Sequence, residues 1–127
     1  MDTEALARRA AAIALDMKAQ NVVVVDLRSR STYADFLVIA SGTSDRHVQS
    51  VAESVEVTLK KEHVTIVGAE GAREGQWALI DLGGVVVHVF HQFARDLYDL
   101  ESLYEKAPRT RVEANAPAVA KARQQLS

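Results

Sequence analysis

Two short apolar runs constrain this chain more than any other feature: Val22-Val23-Val24-Val25 and Phe36-Leu37-Val38-Ile39-Ala40. Neither alternates apolar with polar residues, so a strand built from either is covered on both faces. Four consecutive β-branched valines favour an extended strand over a helix. Neither run approaches the ~18 residues of a membrane-spanning helix. The polar stretch Arg28-Ser29-Arg30-Ser31-Thr32 between them reads as a connection across which the two strands can pair.

The flanking segments supply the helices that such a sheet requires. Leu6, Ala10, Ile13 and Met17 recur at helical spacing in an alanine-rich segment that should end near Gln20-Asn21. Val48, Val51, Ala52, Val55 and Leu59 form a second stripe. Ser44 is placed to cap it, Asp45 lies in its first turn, and Lys60 and Lys61 lie at its end. Phe93, Leu97, Leu100 and Tyr104 form a third stripe. Val64–Val67 reads as a short strand, Gly68–Gly75 as a loop, and Trp77–Leu82 and Val85–Phe90 as a hairpin turning on Gly83-Gly84. The predicted order is α-β-β-α-β-β-β-α. The fold class is α/β (α+β), with a single mixed sheet of about five strands packed with helices.

Residues 1–107 read as one domain, and 108–127 as a basic, Ala-rich, flexible C-terminal tail in which Asn115 and Pro117 could start a short helix. The formal charge is -2, unevenly spread. Residues 105–127 hold five cations (Lys106, Arg109, Arg111, Lys121, Arg123) against Glu105 and Glu113, or +3, which leaves -5 for residues 1–104. An acidic body suits a basic protein partner and disfavours non-specific RNA binding, while the tail could make a peripheral contact to RNA phosphates. Without cysteines there are no disulfides and no thiolate chemistry. The N-terminus lacks the pattern of a secretory signal, so a cytoplasmic location is expected.

No catalytic constellation emerges. His88 and His91 are three apart on a strand and point to opposite faces, so no metal is expected. Ser41-Gly42-Thr43-Ser44 could imitate the glycine–serine turn of a nucleotidyltransferase. The strand carboxylates that would hold magnesium are missing, because Arg28, Leu37 and Gly83 stand two residues after Asp26, Asp35 and Asp81. A nucleotide-binding enzyme using the Ser41–Ser44 turn is therefore the alternative reading, and no cofactor is expected. Glu70-Gly71 and Glu74-Gly75 read as an acidic loop. What remains is a recognition surface formed by Trp77, Asp81, Leu82 and His88 on the hairpin and by Arg95, Tyr98 and Asp99 on the last helix. Counting back from Gly83-Gly84 sets Asp81 opposite Val86 and Ile80 opposite Val87.

Three blocks then stand in register: Asp35–Val48, Trp77–Gly83 followed by Val87-His88-Val89-Phe90, and Arg95–Glu101. Together, with Glu70-Gly71 ahead of the tryptophan, they resemble the signature of the ribosomal silencing factor family (RsfS, Iojap-like, YbeB) over about residues 4–108. The resemblance implies a nucleotidyltransferase-like fold without catalytic carboxylates. It also implies a non-enzymatic role: docking on large-subunit ribosomal protein fourteen, steric block of subunit joining and lowered translation when nutrients are scarce. A homodimer in the free state is implied as well. Two positions depart from the family pattern. Gly84 stands where Asp is usual after the hairpin glycine, and Tyr104 where Trp is frequent.

Overall fold

The computed structural model describes residues 1–113. Helix α1 (Thr3–Asp16) is capped by Asp2, whose carboxylate accepts the Ala5 N–H. It stops short of the predicted end because Lys18 and Asn21 adopt left-handed backbone (φ 64° and 50°), which reverses the chain into β1 (Gln20–Asp26). Strand β2 (Phe36–Gly42) follows and pairs antiparallel with β1, as the sequence suggested. Helix α2 (Asp45–Lys61) starts at Ser44, whose hydroxyl accepts the His47 N–H. Next come β3 (Gly68–Glu70), β4 (Trp77–Asp81) and β5 (Val85–His91). Helix α3 (Gln92–Tyr98), a 3-10 turn (Leu100–Tyr104) and β6 (Arg109–Val112) complete the described chain.

The sheet is mixed and has six strands in the order β3-β4-β5-β2-β1-β6, with β2 and β5 parallel at its centre. Helices α1 and α2 cover one face. Val22, Val24, Phe36, Val38, Val85, Val87 and Val89 meet Ala7, Ala10, Ile13, Val48, Val51, Val55 and Leu59 there. The other face carries a smaller cluster of Val23, Val25, Leu27, Leu37, Ile39, Val86 and Phe90, roofed in part by Ala94, Leu100, Tyr104 and Ala107. This two-sided burial is the physical reason for the unbroken apolar runs of β1 and β2. Among the described residues no helix is long and apolar enough to cross a membrane.

Three expectations are corrected. Val64–Val67 forms no strand, although the Val67 N–H donates to the Asp81 carbonyl at 2.8 Å, and the strand forms at Gly68–Glu70, inside the segment expected to be a loop, where it pairs with Leu79–Asp81. The third helical stripe does not form one helix. Asp99 is left-handed (φ 47°, ψ 49°) and ends α3, and Phe93 and Leu97 face outward at 73% and 80% exposure. The sheet gains a sixth strand where a flexible tail was expected. Arg109–Val112 pairs antiparallel with Val22–Val25, so the folded body runs on past Ala107. Its outer face is largely exposed and it carries two arginines, a pattern that keeps an edge strand from pairing further. The hairpin turns on Gly83-Gly84 as expected, closed by the Leu82 N–H on the Val85 carbonyl at 2.9 Å, with Gly83 left-handed (φ 91°). A Cβ on Gly84 would stand 2.5 Å from the Thr3 methyl, so Gly84 is fixed by contact with α1. The proposed Asn115–Pro117 helix lies outside the described residues.

Candidate protein-docking face

Strand β4 alternates as a strand covered by helices on one face and open on the other does. Ala78 and Ile80 are buried toward the helices, while Trp77, Leu79 and Asp81 are half-buried on the opposite face. On β5 the matching residues are Val86, His88 and Phe90. The register sets Trp77 opposite Phe90, Leu79 opposite His88 and Asp81 opposite Val86. The two pairings counted from the turn, Asp81 with Val86 and Ile80 with Val87, hold.

Trp77 is fixed from several sides. Its ring stacks on Phe90 with centroids 4.7 Å apart and meets Tyr98 at 4.9 Å. Its indole N–H donates to His88 Nδ1 at 3.0 Å. That bond requires an unprotonated Nδ1. Burial pushes the His88 pKa down to about 4, so the ring is neutral near pH 7 with its proton on Nε2. Tyr98 is 55% exposed and stands beside Trp77, with the exposed Asp99 next to it in sequence. Phe93, Leu97 and Leu103 add exposed apolar side chains on the same α3 and 3-10 segment.

The structure brings Trp77, Asp81, His88 and Tyr98 to one side of the sheet and separates two other candidates from them. Leu82 is buried in the helix-side core, because it continues the two-residue alternation of Ala78 and Ile80 and so points away from Trp77 and Asp81. Arg95 is not on a solvated helix face. Its guanidinium is buried, donating from Nε to Glu101 at 2.8 Å and from Nη1 to Ser41 Oγ at 2.9 Å and to the Asn21 carbonyl. Glu101 is held below the usual carboxylate range, first by its hydrogen bond from Arg95. Asp81 is partly engaged, its Oδ1 accepting the Gly83 N–H at 2.8 Å. Sequence reasoning missed Leu79, although the two-residue alternation Trp77-Leu79-Asp81 contained the signal.

The Ser41–Ser44 turn is occupied by its own contacts. Ser41 takes the Arg95 bond, and Ser44 caps α2. The Thr43 N–H donates to His47 Nδ1 at 2.9 Å, while His47 Nε2 lies 2.8 Å from the Met17 carbonyl. His47 therefore ties the start of α2 to the end of α1, and its neighbouring hydroxyls are engaged in the same cap.

Comparison with known proteins matches residues 1–127 to the family model described as ribosomal silencing factor during starvation, RsfS. The chain belongs to the ribosomal silencing factor family. It is 40% identical over 98 residues to ribosomal silencing factor RsfS of Halalkalibacterium halodurans, covering 77% of this chain and 84% of that relative. The RsfS of Bacillus subtilis is 36% identical over 108 residues, covering 85% and 92%. A crystal structure of a Chromobacterium violaceum protein superposes with a TM-score of 0.81 at 36% identity, covering 83% of this chain and 88% of that one. Family membership supports a ribosome-associated silencing role, and the members are named as silencing factors rather than as enzymes.

Proposed function

We propose that this RsfS-family chain acts by docking on the large ribosomal subunit through ribosomal protein fourteen and blocking association with the small subunit, so that translation falls under nutrient limitation. The docking face is the open side of the β4–β5 hairpin with Trp77, Asp81 and Tyr98 at its centre, Asp99 at its rim and His88 beneath. The action is steric and involves no chemistry on a substrate. The protein works in the cytoplasm and forms a homodimer when free.

The observation that carries this reading is the aromatic cluster of Trp77, Phe90 and Tyr98. A tryptophan held on a sheet face beside an exposed tyrosine and the outward Phe93 and Leu97 is the composition of an interface centre. The net charge of -5 over residues 1–104, derived above, complements a basic ribosomal protein. The test is co-sedimentation with separated subunits followed by a subunit-joining assay, with parent and Trp77→Ala. Binding to the large subunit alone, with fewer joined ribosomes and a weaker Trp77→Ala variant, supports the reading. Binding to neither subunit by a folded parent overturns it. A Trp77→Ala variant that folds and binds as tightly as the parent moves the docking face elsewhere.

A further inference from the structure

Beside Trp77 the surface opens into a cleft of about 500 Å³ lined by Glu70, Gly71, Glu74, Gln76, Trp77 and Leu79. Trp77 and Leu79 supply its apolar lining, and Glu70 and Glu74 stand exposed along it. The loop that carries the two carboxylates is positioned by other groups. Gly71 is left-handed (φ 83°), and a Cβ there would lie 2.0 Å from the Trp77 carbonyl oxygen. Gly75 is also left-handed (φ 75°) and packs against Asp45. Gln49 Nε2 donates to the Arg73 carbonyl at 2.6 Å, and Gln76 Nε2 donates to Asp45 Oδ1 at 2.7 Å. The Gln76 carbonyl accepts the His91 N–H at 2.8 Å. Among the described residues, the carboxylates of Glu70 and Glu74 make no hydrogen bond or ion pair within the chain. Glu4, Asp26, Glu62 and Glu101, by contrast, each meet an arginine.

An apolar cleft with an indole on its wall and two uncommitted carboxylates along it selects a cation on an apolar stem. Guanidinium fits best, because its plane can lie over the indole while its N–H fork meets the carboxylates. An ammonium is more strongly hydrated and presents no such plane. A phosphate backbone would be repelled. We infer that this cleft receives one arginine side chain of the protein partner, its stem against Trp77 and Leu79 and its guanidinium on Glu70 and Glu74. The inference rests on the docking reading above and names the partner group that the face selects.

The test is the double variant Glu70→Gln with Glu74→Gln, compared with parent and with Glu53→Gln on the exposed side of α2, by co-sedimentation with large subunits at several salt concentrations. The expected result is a loss of roughly tenfold or more in affinity with a flatter salt dependence, and no change for Glu53→Gln. Parent and double variant binding alike would overturn the cleft and leave the docking reading standing. A parent that binds no subunit would instead overturn the docking reading. The cleft is then decided by titrating Trp77 fluorescence with N-acetylarginine amide and its lysine counterpart. A saturable change that favours arginine and disappears in the double variant sustains the inference, and an identical response from both proteins overturns it.

Discussion

His88 gives this fold a definite response to acid. In the unfolded chain its imidazole titrates near 6.5, whereas burial in the folded chain lowers that value to about 4. Between those two values the unfolded state holds a proton that the folded state refuses, so stability falls as pH falls. With those values, lowering the pH from about 7 to about 4.5 removes about 2 kcal/mol through this one group. Below about pH 4 the folded state takes the proton as well, this contribution levels off, and Nδ1 can no longer accept from Trp77. His88→Gln removes the titration but keeps a side-chain oxygen able to accept the indole N–H. Asp26, Glu62 and Glu101 have lowered pKa values through arginine partners. Each therefore contributes stability that is lost as pH falls through the carboxylate range, equally in parent and variant. The assay is urea unfolding followed by far-ultraviolet circular dichroism at about pH 7 and about pH 4.5, with the two losses compared. The parent should lose about 2 kcal/mol more than His88→Gln. Equal losses would mean that His88 is protonated in the folded state and that the Trp77 bond is not as described.

Arg95→Met should lower unfolding free energy by about 3 kcal/mol or more, because Glu101, Ser41 and the Asn21 carbonyl lose their shared donor, as thermal and urea denaturation would register. Truncation after Pro108 removes β6 and bares the β1 edge. The truncated protein should melt at lower temperature and scatter more light at equal concentration than the full chain, and identical behaviour would show that β6 adds nothing. Gly75→Ala forces a Cβ onto Asp45 at a left-handed position and should cost about 1–3 kcal/mol, read as a lower melting temperature.

The centre of the fold was legible because its signal is local. Val22–Val25 and Phe36–Ala40 have one plausible use, and Gly83-Gly84 fixes the register of β4 on β5. The edges were less legible because backbone bonds hold them more than side-chain burial does. Arg109–Val112 shows no apolar periodicity, yet its backbone pairs with β1, and Arg111 reaches Asn21 Oδ1 at 2.8 Å. The last helix misled for a different reason. Its spacing favours one long amphipathic helix, but Arg95 is buried and binds Glu101 across the left-handed Asp99. A charge in the core needs partners, and those partners came from β1, β2 and the 3-10 turn, which periodicity along a single helix does not reveal. For the candidate face, the sequence reading grouped Trp77, Asp81 and Leu82, whereas the two-residue alternation along β4 sets Leu82 with Ala78 and Ile80 in the helix-side core.

The bracing of Trp77 by Phe90, Tyr98 and His88 also has a kinetic consequence. A side chain already confined before encounter gives up little rotamer entropy when it is covered, a term of about 0.5–1.5 kcal/mol for each side chain immobilised on binding. Substitutions that leave the indole in place but loosen its supports should therefore act on residence time. The rate of association should stay governed by the acidic surface and should vary with ionic strength alike in parent and variant.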